Sequence, residues 1–241
     1  MSIVYTTTDG TLNTGSLHHF ILKHIILEGY APKRAKICEH FDESIHEVDQ
    51  AMYELQDQHG VVLHPHEPEV WVIHPFATAP TNFVVSTDFG TWWSPCAWCA
   101  LGVVALAADH QREGYAQIKT RIGAEFKEVT IDFEYSMHEP VELLIHFPIP
   151  MKKAWDNVIY TCSNMQIFEN EEQVDRWCLQ HQIPKGDVQP LKKIWEFAQD
   201  WYGNHLDPRW EKWTVEEAKA IIEKHGLTHP IWDLGNSKER F

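Results

Sequence analysis

The chain contains no apolar run approaching the roughly 18 uninterrupted residues that a membrane-spanning helix needs, so a bilayer-embedded protein is not expected. Positive charge is scarce as well. Twenty Lys and Arg stand against 35 Asp and Glu, a formal net charge of -15, and such a surface repels the phosphates of nucleic acid. The first residues, Met1 to Gly10, show neither the basic start nor the apolar centre of a signal peptide. Internal repeats and low-complexity segments are missing too. Cysteine is sparse and odd in number, five in 241 residues, which fits reduced thiols rather than a disulfide framework. The expected setting is cytoplasmic. Sixteen histidines are present, yet no His-Glu-x-x-His spacing or comparable ligand pattern occurs. His18, His19, His64, His66 and His74 therefore read as ordinary surface or turn residues. A second Cys-x-x-Cys is also lacking, so a four-cysteine structural zinc is not expected.

What the chain does have is ample core material, 44% hydrophobic residues with 11 Trp. Its pattern is α+β. Helical spacing runs from Leu17 to Glu28 with Gly29 as a stop, then from Pro32 to His40 and from Glu43 to Gln58. The third stretch carries a stripe of Ile45, Val48, Met52 and Leu55, with Ser44 and Glu47 in capping-box positions. Val61 to Leu63 and Val70 to Ile73 then form a hairpin. Three helices and a hairpin make a winged-helix-like unit over residues 1–76, but its third helix is acidic, which argues against phosphate contacts. The Pro-rich stretch 74–82 is the expected boundary. A second unit, 77–241, is expected to hold a mixed or antiparallel sheet with flanking helices: strands at 83–86, 117–122, 128–133 and 142–147. Later helices fall at 170–182 and 189–205. A last one is capped by Thr214 with Glu217, in a C-terminal helical extension.

The segment Ser94-Pro95-Cys96-Ala97-Trp98-Cys99-Ala100-Leu101-Gly102 carries the strongest chemical signal. Ser94 can cap a helix and Pro95 suits its first turn, where a missing N–H costs nothing. Cys96 then lies near the positive end of the helix dipole, which lowers a thiol pKa, and Cys99 shares its face. From Ala97 to Ala108 the stretch is nearly free of polar residues, as in a buried helix. Gly102 there costs about 1 kcal/mol relative to Ala, which points to close packing or reserved space. Trp92, Trp93 and Trp98 are candidates to wall an apolar pocket beside the thiols. Cys38 and Cys178 read as packing residues on amphipathic helices.

Trp98-Cys99-Ala100-Leu101 resembles the segment that carries the first catalytic cysteine of the alkylmercury lyases. Cys162-Ser163-Asn164-Met165-Gln166-Ile167-Phe168, with the acidic helix from Glu171 to Trp177, resembles the segment carrying their second. The similarity spans about residues 15 to 185 and leaves the tail from Asp187 uncovered. It implies that thiolates of Cys99 and Cys162 bind R–Hg⁺, that an acid protonates the carbon, and that Hg(II) stays on the sulfurs. No cofactor is required; mercury(II) or another thiophilic metal is the ligand. In that family an aspartate follows the first cysteine by three residues and shuttles the proton, whereas this chain has Gly102. Cys96 as an added thiol and proton carrier, Asp88 and Asp109 are the candidate substitutes. Three other readings stay open at this point: a thiol or soft-metal binder using Cys96, Cys99 and Cys162, a redox Cys-x-x-Cys, and a winged-helix regulator. The segment Tyr202 to Trp210 is either a helix-ending loop or a cover for the site. Oligomeric state is not encoded in any feature above.

Overall fold

The computed structural model describes residues 10–109, 115–134, 142–235 and 240–241. Three helices open the described chain. α1 (Thr14–Glu28) starts with a reciprocal Asn13–Ser16 cap and stops at Gly29, whose left-handed φ of 83° is open to a residue without Cβ. α2 (Arg34–Phe41) is short, and α3 (Ile45–Asp57) begins at the Ser44–Glu47 capping box read from the sequence. Val48, Ala51, Met52 and Leu55 are buried along α3. Ile45, expected to share that stripe, is half exposed because it is the first residue of the helix and lies outside the packed turns.

β1 (Val62–Leu63) and β2 (Val70–Ile73) form the expected hairpin, but β2 also pairs with β3 (Phe76–Ala77), inside the stretch read as a connection. β4 (Phe83–Thr87), β5 (Gly90–Ser94), β6 (Tyr115–Ile122) and β7 (Lys127–Glu134) complete an antiparallel sheet in the order β1-β2-β3-β5-β4-β6-β7. Alternation along β6 buries Ala116, Ile118, Thr120 and Ile122 and leaves Tyr115, Lys119 and Arg121 in water, as expected of a sheet with one wet face.

α4 (Ala97–Asp109) packs on strands β3 to β6 of this sheet, and α7 (Leu191–Tyr202) packs on α4. With apolar surface above and below, α4 has no need of a polar face. The expected strand at 142–147 is present as β8 (Leu144–Phe147), but it leaves the main sheet. It lies between β9 (Ile167–Phe168) and β10 (Asp187–Pro190) in a separate antiparallel sheet. α5 (Val158–Asn164), α6 (Glu171–His181) and α8 (Val215–Lys224), the last with its Thr214–Glu217 capping box, complete the fold. No described helix is long and apolar enough to cross a membrane.

Candidate functional site

Cys96 immediately precedes α4 and acts as its cap. Its Sγ accepts the backbone N–H of Cys99 at 3.3 Å, and its carbonyl accepts Ala100 N–H at 2.9 Å. Ser94, expected in that role, instead donates its hydroxyl to the Pro75 carbonyl at 2.8 Å, because it is the last residue of β5 and faces the β2–β3 turn. Cys99 follows in the first turn of α4. Cys162 arrives from the last turn of α5, a helix that the sequence reading did not place. The join is made by backbone: Ala97 N–H donates to the Met165 carbonyl at 3.2 Å, pinning the start of α4 to the residue that ends α5.

His74, at the end of β2, supplies a fourth group. Its Nδ1 lies 3.2 Å from Cys99 Sγ, and one ligand atom from each of His74, Cys99 and Cys162 falls within 4.8 Å of the others. Tyr202, the last residue of α7, places its hydroxyl 3.3 Å from Cys99 Sγ. The three sulfurs are 0%, 1% and 4% exposed, too buried to ionise without help.

That help is unequal. Burial pushes Cys96 up, but hydrogen bonds from the Cys162 and Cys99 thiols and from the Cys99 amide outweigh it, so its pKa falls well below that of a free thiol. Burial raises Cys99, with Cys96 adding to the rise. Donation to Cys96 and Cys99, then burial, raises Cys162. Cys96 is therefore the most acidic thiol of the three, while Cys99 and Cys162 hold their protons more tightly. Burial holds His74 down to about 4 and His205 to about 3, so both imidazoles are neutral at ordinary pH.

These groups line a cavity of about 70 Å³ with a mostly apolar wall. Trp98, Met151, Trp155, Met165, Trp201 and Trp210 provide most of that wall. Trp155 stacks on His59 with ring centroids 5.0 Å apart, and Lys212 Nζ sits 3.9 Å from the Trp155 centroid. The Nε2 atom of His74 is buried there without a hydrogen-bond partner among the described residues.

Of the sequence-based candidates, Cys96, Cys99 and Cys162 converge and Trp98 lines the cavity. Others do not reach it. Trp92 donates to the Ile25 carbonyl at 2.9 Å, and Trp93 is partly exposed on the sheet. Asp88 accepts Tyr115 N–H at 3.1 Å on the outer part of the sheet, and Asp109 ends α4 about 15 Å along the axis from Cys99. Cys38 is half-buried on α2, and Cys178 lies on α6 with its Sγ 3.6 Å from His146 Nε2. The sequence reading missed His74, taken as a turn residue. From the Tyr202 to Trp210 segment, Tyr202, His205 and Trp210 enter the site, so the tail forms part of its wall.

Fold and site together define an α+β protein that gathers three thiols and an imidazole in one mostly apolar cavity. The model of the alkylmercury lyase family (MerB) matches residues 76–203, more than half of the chain, and the chain belongs to that family. Among solved structures it is similar to the mercury-bound form of MerB2. The TM-score is 0.63 at 15% sequence identity, over 80% of this chain and 89% of that one, a likeness of fold. No curated protein matches the chain by sequence.

Proposed function

We propose that the protein cleaves carbon–mercury bonds with a thiol triad that carries its own proton. The observation behind this reading is the meeting of Cys96, Cys99 and Cys162 beside His74 in one apolar cavity, where hydrogen bonds from its neighbours make Cys96 the most acidic of the three thiols. Mercury is soft and favours thiolate over oxygen or nitrogen donors, so R–Hg⁺ first bonds the Cys96 thiolate. As mercury passes to Cys162, the Cys162 proton moves to Cys96 along their existing hydrogen bond. Cys99 then bonds mercury and its proton goes to the carbon. The carbon–mercury bond breaks, R–H leaves, and Hg(II) remains on Cys99 and Cys162 while Cys96 is a neutral thiol. Atoms and charge balance: R–Hg⁺, one thiolate and two thiols become R–H, one thiol and a mercury bis-thiolate.

The apolar wall serves this chemistry by excluding water, which strengthens every charge interaction inside the cavity. It also matches the hydrocarbon part of the substrate. Incubating reduced protein with phenylmercury and measuring benzene by gas chromatography tests the reading. One benzene per protein, lost in Cys99→Ser and Cys162→Ser, is the expected result. Stoichiometric mercury retention without benzene would leave a soft-metal-binding protein on this scaffold.

A further inference from the structure

Gly102 lies in the second turn of α4, three residues after Cys99, and brings no side chain. The space beside it is already filled. A Cβ at Gly102 would lie 2.5 Å from both Cδ2 and Cε2 of Tyr202 and 2.9 Å from Cβ of Pro75. The glycine is thus the recess into which the Tyr202 ring fits, and the ring carries its hydroxyl to 3.3 Å from Cys99 Sγ. Tyr202 itself is 1% exposed. A buried phenol at hydrogen-bond distance from the thiol that must lose its proton is placed to move that proton.

We infer that the Tyr202 hydroxyl is the proton relay of the proposed reaction, standing between Cys99 and the mercury-bound carbon. In one step the hydroxyl gives its proton to the carbon and takes the proton of Cys99. The S–H bond and the original O–H bond break as a new O–H and a C–H bond form, while the carbon–mercury bond gives way to the sulfur–mercury bond. Tyrosine ends as it began. A hydroxyl can donate and accept at once, and rotation about its C–O bond is the whole of its reset. His74 also touches Cys99, but an imidazole that accepted at one nitrogen and donated from the other would finish in the opposite tautomer and have to turn over.

This inference rests on the lyase reading, and Tyr202→Phe separates the two because it keeps the ring in the Gly102 recess and removes only the oxygen. Single-turnover benzene release from phenylmercury is expected to slow by about 100-fold or more, the scale of a lost proton-transfer group. Phenylmercury uptake and Hg(II) retention should stay unchanged. Rates in H₂O–D₂O mixtures should pass from a curved dependence on deuterium fraction, with two protons in flight, to a linear one. Release from an active protein within about threefold of wild type, with the curved dependence retained, overturns the relay alone. A wild-type protein that releases no benzene overturns the lyase reading and the relay with it.

Discussion

Replacing Cys96 by serine and by alanine separates its two duties. Serine is a good N-cap and alanine is not, so Cys96→Ala should be less stable than Cys96→Ser by about 0.5–2 kcal/mol in urea denaturation. Both should lose the resting thiolate, visible as ultraviolet thiolate absorbance that persists in the wild type below the ordinary thiol pKa of about 8.5. The sign is that of an acid with a lowered folded pKa. Its stabilising contribution is present above the unfolded pKa and is lost as pH falls through the folded one. Equal absorbance in wild type and Cys96→Ser at neutral pH would place the charge elsewhere. At this scale Cys96 and Cys99 were legible because a helix start announces itself locally, and Cys162 was legible through the family resemblance. His74 and Tyr202 were not, since they lie 25 and 103 residues from Cys99 and share no motif with it.

Between elements, α4 packs closely against α7 at Gly102. Gly102→Ala would normally stabilise a helix by about 1 kcal/mol, whereas here the new methyl meets the Tyr202 ring. The expected outcome is a net destabilisation of about 1–3 kcal/mol, the range for overpacking. In a Tyr202→Ala background the same change should cost less, with the close approach to Pro75 left, and a double-mutant cycle in denaturant measures the coupling. A stabilising Gly102→Ala in the wild-type background would refute the close fit. Most elements were readable from periodicity, and the Ser44 and Thr214 capping boxes stand where the sequence puts them. The assignment of 142–147 to the main series of strands failed because partner choice is set by long-range pairing. α5 escaped notice because a helix as short as Val158–Asn164 barely establishes a period.

For the molecule as a whole, buried neutral imidazoles should dominate the acid response. His18, His74, His146 and His205 are all held below the ordinary value, chiefly by burial. Between the unfolded value near 6.5 and the folded values of about 3 to 4, the unfolded chain binds more protons, so stability falls as pH drops through that window. Thermal denaturation is expected at clearly lower temperature at pH 5 than at pH 7, and the Tm of His205→Asn should depend less steeply on pH. A flat Tm across that interval would contradict the neutral, buried state.

The cavity draws its walls from the hairpin, the cysteine helix, the turn around Trp155 and the tail. A synthetic peptide spanning 94–102 would therefore capture mercury as any dithiol does, with neither imidazole nor phenol beside it. Proteolytic fragments lacking the tail would keep His74 and lose the phenol. The chemistry belongs to the closed chain, and no excised stretch can serve as its miniature.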